Sequence, residues 1–186
     1  MVKEFKSLIF KDYKFDFSYL LCTYVFLFLI GSIVGFIYEE FFYYFTEGII
    51  EKRGFLYGLY LPVYGFGAVF MVLFLKRFKK YPILIFLLSM LVTGILEYIT
   101  GYAMFSLYHR TWWDYTGLFL NIDGYVCFRS VFTFAIGGLL LIYIIEPLVC
   151  KFVNERKLSS LITCSFLIIF MFVFDFIFTI LFRNTL

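Results

Sequence analysis

Phe17 to Tyr38 is a run of 22 residues without one charged side chain. About 20 apolar residues in a helix cross the hydrocarbon core of a bilayer. A soluble domain of this length has no interior that hides such a stretch several times over. Four further runs follow. Gly54 to Leu75 carries no charge, Tyr81 to Tyr108 is broken only by Glu97, and Leu158 to Phe182 only by Asp175. Ser130 to Ile145, bounded by Arg129 and Glu146, can extend to Cys150. With 17–25 residues taken as about one crossing, the pattern predicts an all-α, polytopic transmembrane helical bundle of about five spans. The second span holds Gly58, Pro62, Gly65 and Gly67, which suits a glycine/proline-broken or re-entrant helix packed inside protein.

Composition agrees. Hydrophobic residues make up 63% and charged residues 16%, against about 45–50% and about 25% in ordinary globular chains. Disorder, collagen and coiled coil are excluded with the soluble domain. Aromatics at 25% suit lipid and interface contact. No linker, low-complexity tract or repeat divides the chain, so residues 1–186 read as a single integral membrane domain. The first run is longer than the about 7–15 residues of a signal-peptide core and lacks a small-residue cleavage site. It reads as a retained helix.

Basic residues give a direction. The N-terminal segment, the loop Lys76–Lys80 and the loop Lys151–Lys157 hold eleven Lys and Arg; Lys52, Arg53, Arg110, Arg129 and Arg183 lie on the other side. The positive-inside rule then predicts a multi-pass cell-membrane protein with a cytoplasmic N-terminus and its C-terminus outside. The net charge of +3 is a topology signal and not a nucleic-acid footprint.

Several chemistries lack their residues. Cys22, Cys127, Cys150 and Cys164 are scattered and read as small hydrophobes, and the one histidine is His109. The pattern gives no metal site and no cofactor. There is no Gly-Lys dipeptide, hence no P-loop, and no H-E-x-x-H or G-x-S-x-G. An enzyme is the less favoured class.

Charges at membrane depth are costly and mark function by default. Counted from the start of its run, Glu97 lies roughly 24 Å along the helix and Asp175 roughly 26 Å, at about 1.5 Å per residue. With Glu39 and Glu40 ending the first span, Arg129 starting the fourth, and Trp112, Trp113, Asp114, Asn121 and Asp123 in the connecting loop, most unusual polar residues fall on the outer side. The excess of acids suits a cationic or hydroxyl-bearing ligand, or a proton-linked carboxylate. It equally suits ion pairs that tie helices together, and Asp175, nearer the rim, is the weaker functional candidate. Glu146, before Pro147 and within reach of Lys151, reads as an interface charge. Gly31/Gly35 and Gly54/Gly58 are G-x-x-x-G pairs that allow close helix approach. Alternatively, Tyr57, Tyr60 and Tyr64 line a cavity where Pro62 frees backbone carbonyls, as in broken transport helices. Trp112 and Trp113 read as interface anchors.

The segments GlyPheIleTyrGlu (35–39), LysArgGlyPheLeuTyrGly (52–58), LeuProValTyrGlyPheGly (61–67), LeuGluTyrIleThrGly (96–101), TrpTrpAspTyr (112–115) and AsnIleAspGly (121–124) stand in one order and spacing. From about Gly31 to Gly138 the chain resembles the bacterial "putative ABC-transporter type IV", or CmpB-like, family of small multi-pass membrane proteins. The resemblance stresses Glu39, Gly54, Tyr57, Gly58, Pro62, Tyr64, Gly65, Glu97, Tyr98, Trp113, Asp114, Asn121 and Gly124. Phe105 and Tyr125 depart from it, where relatives tend to carry an acid and an arginine. The reading that follows is a permease-like or substrate-capturing transport component with an outward-facing polar cavity. Its substrate-binding candidates are Glu39, Tyr57, Tyr64, Glu97, Trp113, Asp114, Asn121 and Arg129. Its implied partners are membrane lipids, an ABC-type ATPase or other membrane subunit, and further copies of itself, with no nucleic acid. The alternatives are an intramembrane enzyme acting on a lipid-linked group, with Glu97 or Glu39 as general base, and a non-catalytic assembly subunit.

Overall fold

The computed structural model describes residues 2–11, 13–48, 52, 54–109, 111 and 113–182, with residues 2–5 and 47 described by backbone alone. Trp112, Arg53, Arg110 and Arg183, used in the sequence reading, lie outside the described residues. The helices are α1 (Val2–Ile9), α2 (Phe17–Glu47), α3 (Pro62–Leu75), α4 (Pro82–Tyr108), α5 (Phe128–Leu140), α6 (Glu146–Asn154) and α7 (Leu158–Phe182). A 3₁₀ turn, Lys76–Phe78, follows α3, and a π-helical turn, Leu141–Ile145, joins α5 to α6. Among the described residues β pairing is limited to the isolated bridge Ile122–Val126.

Among the described residues four helical stretches are long and apolar enough to cross a membrane: Phe17–Thr46, Pro82–Tyr108, Phe128–Asn154 and Leu158–Phe182. The predicted fifth is not among them. Only α3 of the second apolar run is helical, and its 14 residues cover roughly 21 Å at 1.5 Å per residue, short of a core about 30 Å thick. Sequence explains the late start. Pro62 disfavours helical backbone at the residue before it, and Gly54 sits at φ +91°, outside any right-handed helix.

Helix ends follow local chemistry. α2 stops at Gly48, whose φ of 70° lets its N–H reach the Tyr44 carbonyl, a left-handed cap that glycine adopts without strain. α4 starts on Pro82, where no intrahelical N–H is needed, and ends on His109, whose N–H donates to the Phe105 carbonyl at 2.8 Å.

The chain forms two compact units, Met1–Val69 with Ile145–Leu186, and Phe70–Ile144. In the first, α2 packs on α6 and α7. Leu56, Tyr60 and Phe172 make its buried apolar centre, with Phe28 edge-on to Phe172 and to Phe66, 4.9 Å between centroids in each pair. Gly31 and Gly35 work as a close-packing pair: a Cβ on Gly31 would lie 2.7 Å from Ala68 of α3, and one on Gly35 would fall within the Tyr64 ring. Gly54 and Gly58 do not. They lie in the non-helical stretch before α3, where a Cβ on Gly58 would meet its neighbour's ring, Tyr60. Glu146 departs from the sequence reading too. It is buried at 2% exposure, with the Cys150 thiol donating to it at 3.2 Å, at the start of a helix that packs against α2 and α1.

In the second unit α4 and α5 pack along their lengths. Gly138 admits the Ser89 side chain, and Phe86 meets Phe132 edge-on. The Tyr143 hydroxyl ties the π turn to the Lys79 carbonyl at 2.7 Å.

Candidate functional site

Non-helical backbone at membrane depth needs hydrogen-bond partners from elsewhere. In the first unit Tyr57 and Gly58 obtain them from α7, and Leu61 from the Ser32 carbonyl of α2 at 2.9 Å. Asp175 accepts the N–H of Tyr57 on Oδ1 at 3.1 Å and the N–H of Gly58 on Oδ2 at 2.8 Å. The Tyr60 hydroxyl donates to Oδ2, and Thr179, one turn along α7, donates to Oδ1 at 3.3 Å. Asp175, Tyr60 and Thr179 are all buried. From the other side Lys52 donates to the carbonyls of Leu56, at 2.8 Å, and Tyr57. The carboxylate holds the donors of the segment and the ammonium its acceptors. Among the described residues the four groups on Asp175 are all neutral. Asp175 thus clamps a main-chain segment to a helix.

This arrangement separates the three tyrosines expected to line one cavity. Tyr60 is buried on Asp175, Tyr57 is half exposed at 48%, and Tyr64 donates to Glu39 Oε1 at 2.5 Å. Glu39 and Tyr64 are brought together, Glu39 from the C-terminal half of α2 and Tyr64 from the first turn of α3.

The second unit assembles the remaining candidates around the loop between α4 and α5. Glu97, on α4, accepts the Tyr115 hydroxyl on Oε1 at 3.1 Å and the Ser130 hydroxyl on Oε2 at 2.7 Å. Ser130 is also the third residue of α5 in a capping box with the N-cap Cys127, whose N–H it takes at 3.3 Å. The loop itself turns at Asp123 and Gly124, with φ of 52° and 73°, and the Tyr125 N–H donates to the Ile122 carbonyl at 3.0 Å. Two successive left-handed residues are the type I′ geometry for which Asp-Gly is favoured. The turn delivers Tyr125 onto α4, where Gly101 leaves the room: a Cβ there would lie 2.8 Å from the ring. Trp113 donates from Nε1 to the Tyr125 carbonyl at 2.8 Å. Tyr98 donates to Asp123 Oδ2 at 2.9 Å. Asn121 donates to the Leu118 carbonyl at 3.0 Å, and Arg129 stands exposed in the first turn of α5. The Thr116 hydroxyl, and after it the Thr116 N–H at 2.8 Å, hold the exposed Asp114 carboxyl below the ordinary carboxylate value.

The sequence candidates therefore fall into two groups, Glu39, Tyr57 and Tyr64 in one unit and Glu97, Trp113, Asp114, Asn121 and Arg129 in the other. Tyr115 and Ser130, the donors on Glu97, escaped the sequence reading. Tyr115 ends the TrpTrpAspTyr segment, but nothing in its spacing points at Glu97. The clamp on Asp175 carried a clearer signal. A glycine- and proline-rich stretch at membrane depth must find acceptors for its N–H groups, and intramembrane acids are few.

The fold defines a membrane protein with several spanning-length helices. The model of the family described as "Putative ABC-transporter type IV" matches residues 26–180. The chain belongs to that family, which makes it a membrane transport-related protein. No curated protein and no solved structure matches it.

Proposed function

We propose that the chain is a permease-like, substrate-capturing component of a membrane transporter, a single membrane domain that draws energy from an ABC-type ATPase or another membrane subunit. The observation that carries this reading is the setting of Glu97: a carboxylate on a spanning-length helix, held by the hydroxyls of Tyr115 and Ser130. Hydroxyl donors on an acid are groups that an ammonium or a polyol can replace in kind, whereas main-chain donors of a folded segment are not. Glu97 is the centre of the ligand site in this reading, with Trp113, Asp114, Asn121 and Arg129 shaping the loop above it. Glu39, Tyr57 and Tyr64 form a second polar group. The eleven-to-five division of Lys and Arg supports a cytoplasmic N-terminus and an outward-facing loop 109–127. The short α3 after the clamped segment 54–61 supports a re-entrant second element.

Thermal unfolding of the detergent-purified chain tests the site, with a panel of small ammonium compounds and polyols added singly. A compound of one class should raise the midpoint of the parent and leave Glu97→Gln unmoved, the two having similar midpoints alone. No shift with either class, or equal shifts in the variant, would overturn the reading.

A further inference from the structure

Within the second unit, α4, α5 and the loop enclose a groove of about 430 Å³ lined by Met90, Leu91, Gly94, Ile95, Val126 and Val131 among others. Its walls are apolar, and Gly94 makes its floor, where a Cβ would lie 3.2 Å from Val131. The groove runs along α4 between depths that the helix itself measures. From Pro82, at 1.5 Å per residue, Met90 lies roughly 12 Å along the axis and Tyr98 roughly 24 Å. If Pro82 marks one edge of a core about 30 Å thick, the groove covers most of the opposite leaflet and stops about 6 Å short of its edge, which Tyr102 reaches at roughly 30 Å.

A different kind of surface begins there. Tyr98 and Tyr102 stack on successive turns, centroids 6.4 Å apart and planes within 2°. Tyr125 stands edge-on to both, at 5.6 and 6.4 Å. Asp123 is exposed beside them and takes the Tyr98 hydroxyl on Oδ2. Among the described residues its Oδ1 has no hydrogen-bond donor. Tyrosine faces attract a cation within about 6 Å of the ring centroid, and a carboxylate at the same corner supplies the opposite charge.

We propose that this groove and tyrosine corner form a binding site for one membrane phospholipid with an ammonium headgroup. The acyl chain lies along Met90–Ile95, and the ammonium sits against Tyr98, Tyr102, Tyr125 and Asp123. Length, polarity and the order of the two surfaces along α4 agree with a lipid standing in its own leaflet. The site uses neither carboxylate oxygen of Glu97 and stands independently of ligand capture there.

Native mass spectrometry tests it on the full chain in mild detergent, loaded with equimolar phosphatidylethanolamine, phosphatidylcholine and phosphatidylglycerol of one chain length. The two ammonium lipids should be retained about tenfold over phosphatidylglycerol, the scale of one to two cation–π contacts. Asp123→Asn should reduce that preference towards parity, because asparagine tolerates the positive φ while removing the charge. Tyr102→Leu should reduce it as well, so the test survives a poorly folded Asp123 variant. Ile95→Trp, at a half-exposed position, should lower retention of all three lipids by filling the groove. Retention of phosphatidylglycerol equal to the others, an unchanged preference in well-folded Asp123→Asn, or equal binding of free choline would overturn the proposal. Because none of these variants alters Glu97, failure here leaves the Glu97 midpoint experiment unaffected.

Discussion

Asp175 and Glu97 are both acids on helices of spanning length, at similar counted depths, yet the structure gives them different work. Asp175 takes two main-chain N–H groups, so its charge fixes the path of the backbone at 57–58. Glu97 takes the hydroxyls of Tyr115 and Ser130, so its charge joins side chains that have other rotamers available. An acid bound to backbone is committed, because no rotamer change frees a main-chain donor. An acid bound to hydroxyls can exchange its partners. The residue that looked weaker in the sequence is the structural one, and the exchangeable one is the better candidate for a ligand.

Removing Asp175 should give the largest effect. Asp175→Ala leaves the Tyr57 and Gly58 N–H groups and the Tyr60 hydroxyl without their acceptor. The expected loss is about 3 kcal/mol or more, since each buried orphan costs about 1–3 kcal/mol. Thermal or denaturant unfolding in detergent would show it, and a loss no greater than that of Glu97→Gln would break the contrast between the two acids. Gly35→Leu comes next. The new side chain collides with Tyr64, and overpacking of this kind costs about 1–3 kcal/mol, with the Tyr64–Glu39 bond disturbed at the same time. Near-parental stability in this variant would show that α2 and α3 pack less closely than described.

Glu97→Gln should cost less, about 1 kcal/mol, because an amide oxygen still accepts one of the two hydroxyls. A midpoint as low as that of Asp175→Ala would make Glu97 structural too. The smallest effect belongs to Asp114, which lies exposed at the loop. Its folded carboxyl titrates below the ordinary 3.8, so its contribution is complete above that value and lost as pH falls through the lower folded one. The parent's stability should therefore drop slightly more between pH 5 and pH 3 than that of Asp114→Asn, in matched unfolding series. Identical slopes would remove Asp114 from the loop's acid sensitivity.

Much of this was legible in the residues. The long apolar runs identify the four spanning-length stretches, and Gly31/Gly35 marks the face of α2 on which α3 lies. Asp123-Gly124 went unread as a turn, although Asp-Gly is the pair that a type I′ turn favours. The short second helix was half legible, since Pro62 shows where a helix can begin but not that the eight residues before it stay non-helical, with Tyr57 and Gly58 bonded to α7. Partner identity was not legible. Asp175 lies more than a hundred residues from Tyr57 and Gly58, and main-chain donors have no sequence signature, so its clamp could be inferred only from the need to satisfy them. Glu146 misled because a carboxylate near Lys151 resembles an interface charge, and its burial comes from tertiary packing that the local sequence does not show.

The commitment of Asp175 to backbone is tested most directly by amide hydrogen exchange at Tyr57 and Gly58. These N–H groups lie outside any helix, so their protection in the parent depends on the carboxylate. Slow exchange at both positions, collapsing by orders of magnitude in Asp175→Ala while the amides of 90–99 on α4 keep theirs, is the predicted result. Fast exchange at Tyr57 and Gly58 in the parent, or protection that survives the loss of Asp175, would contradict it.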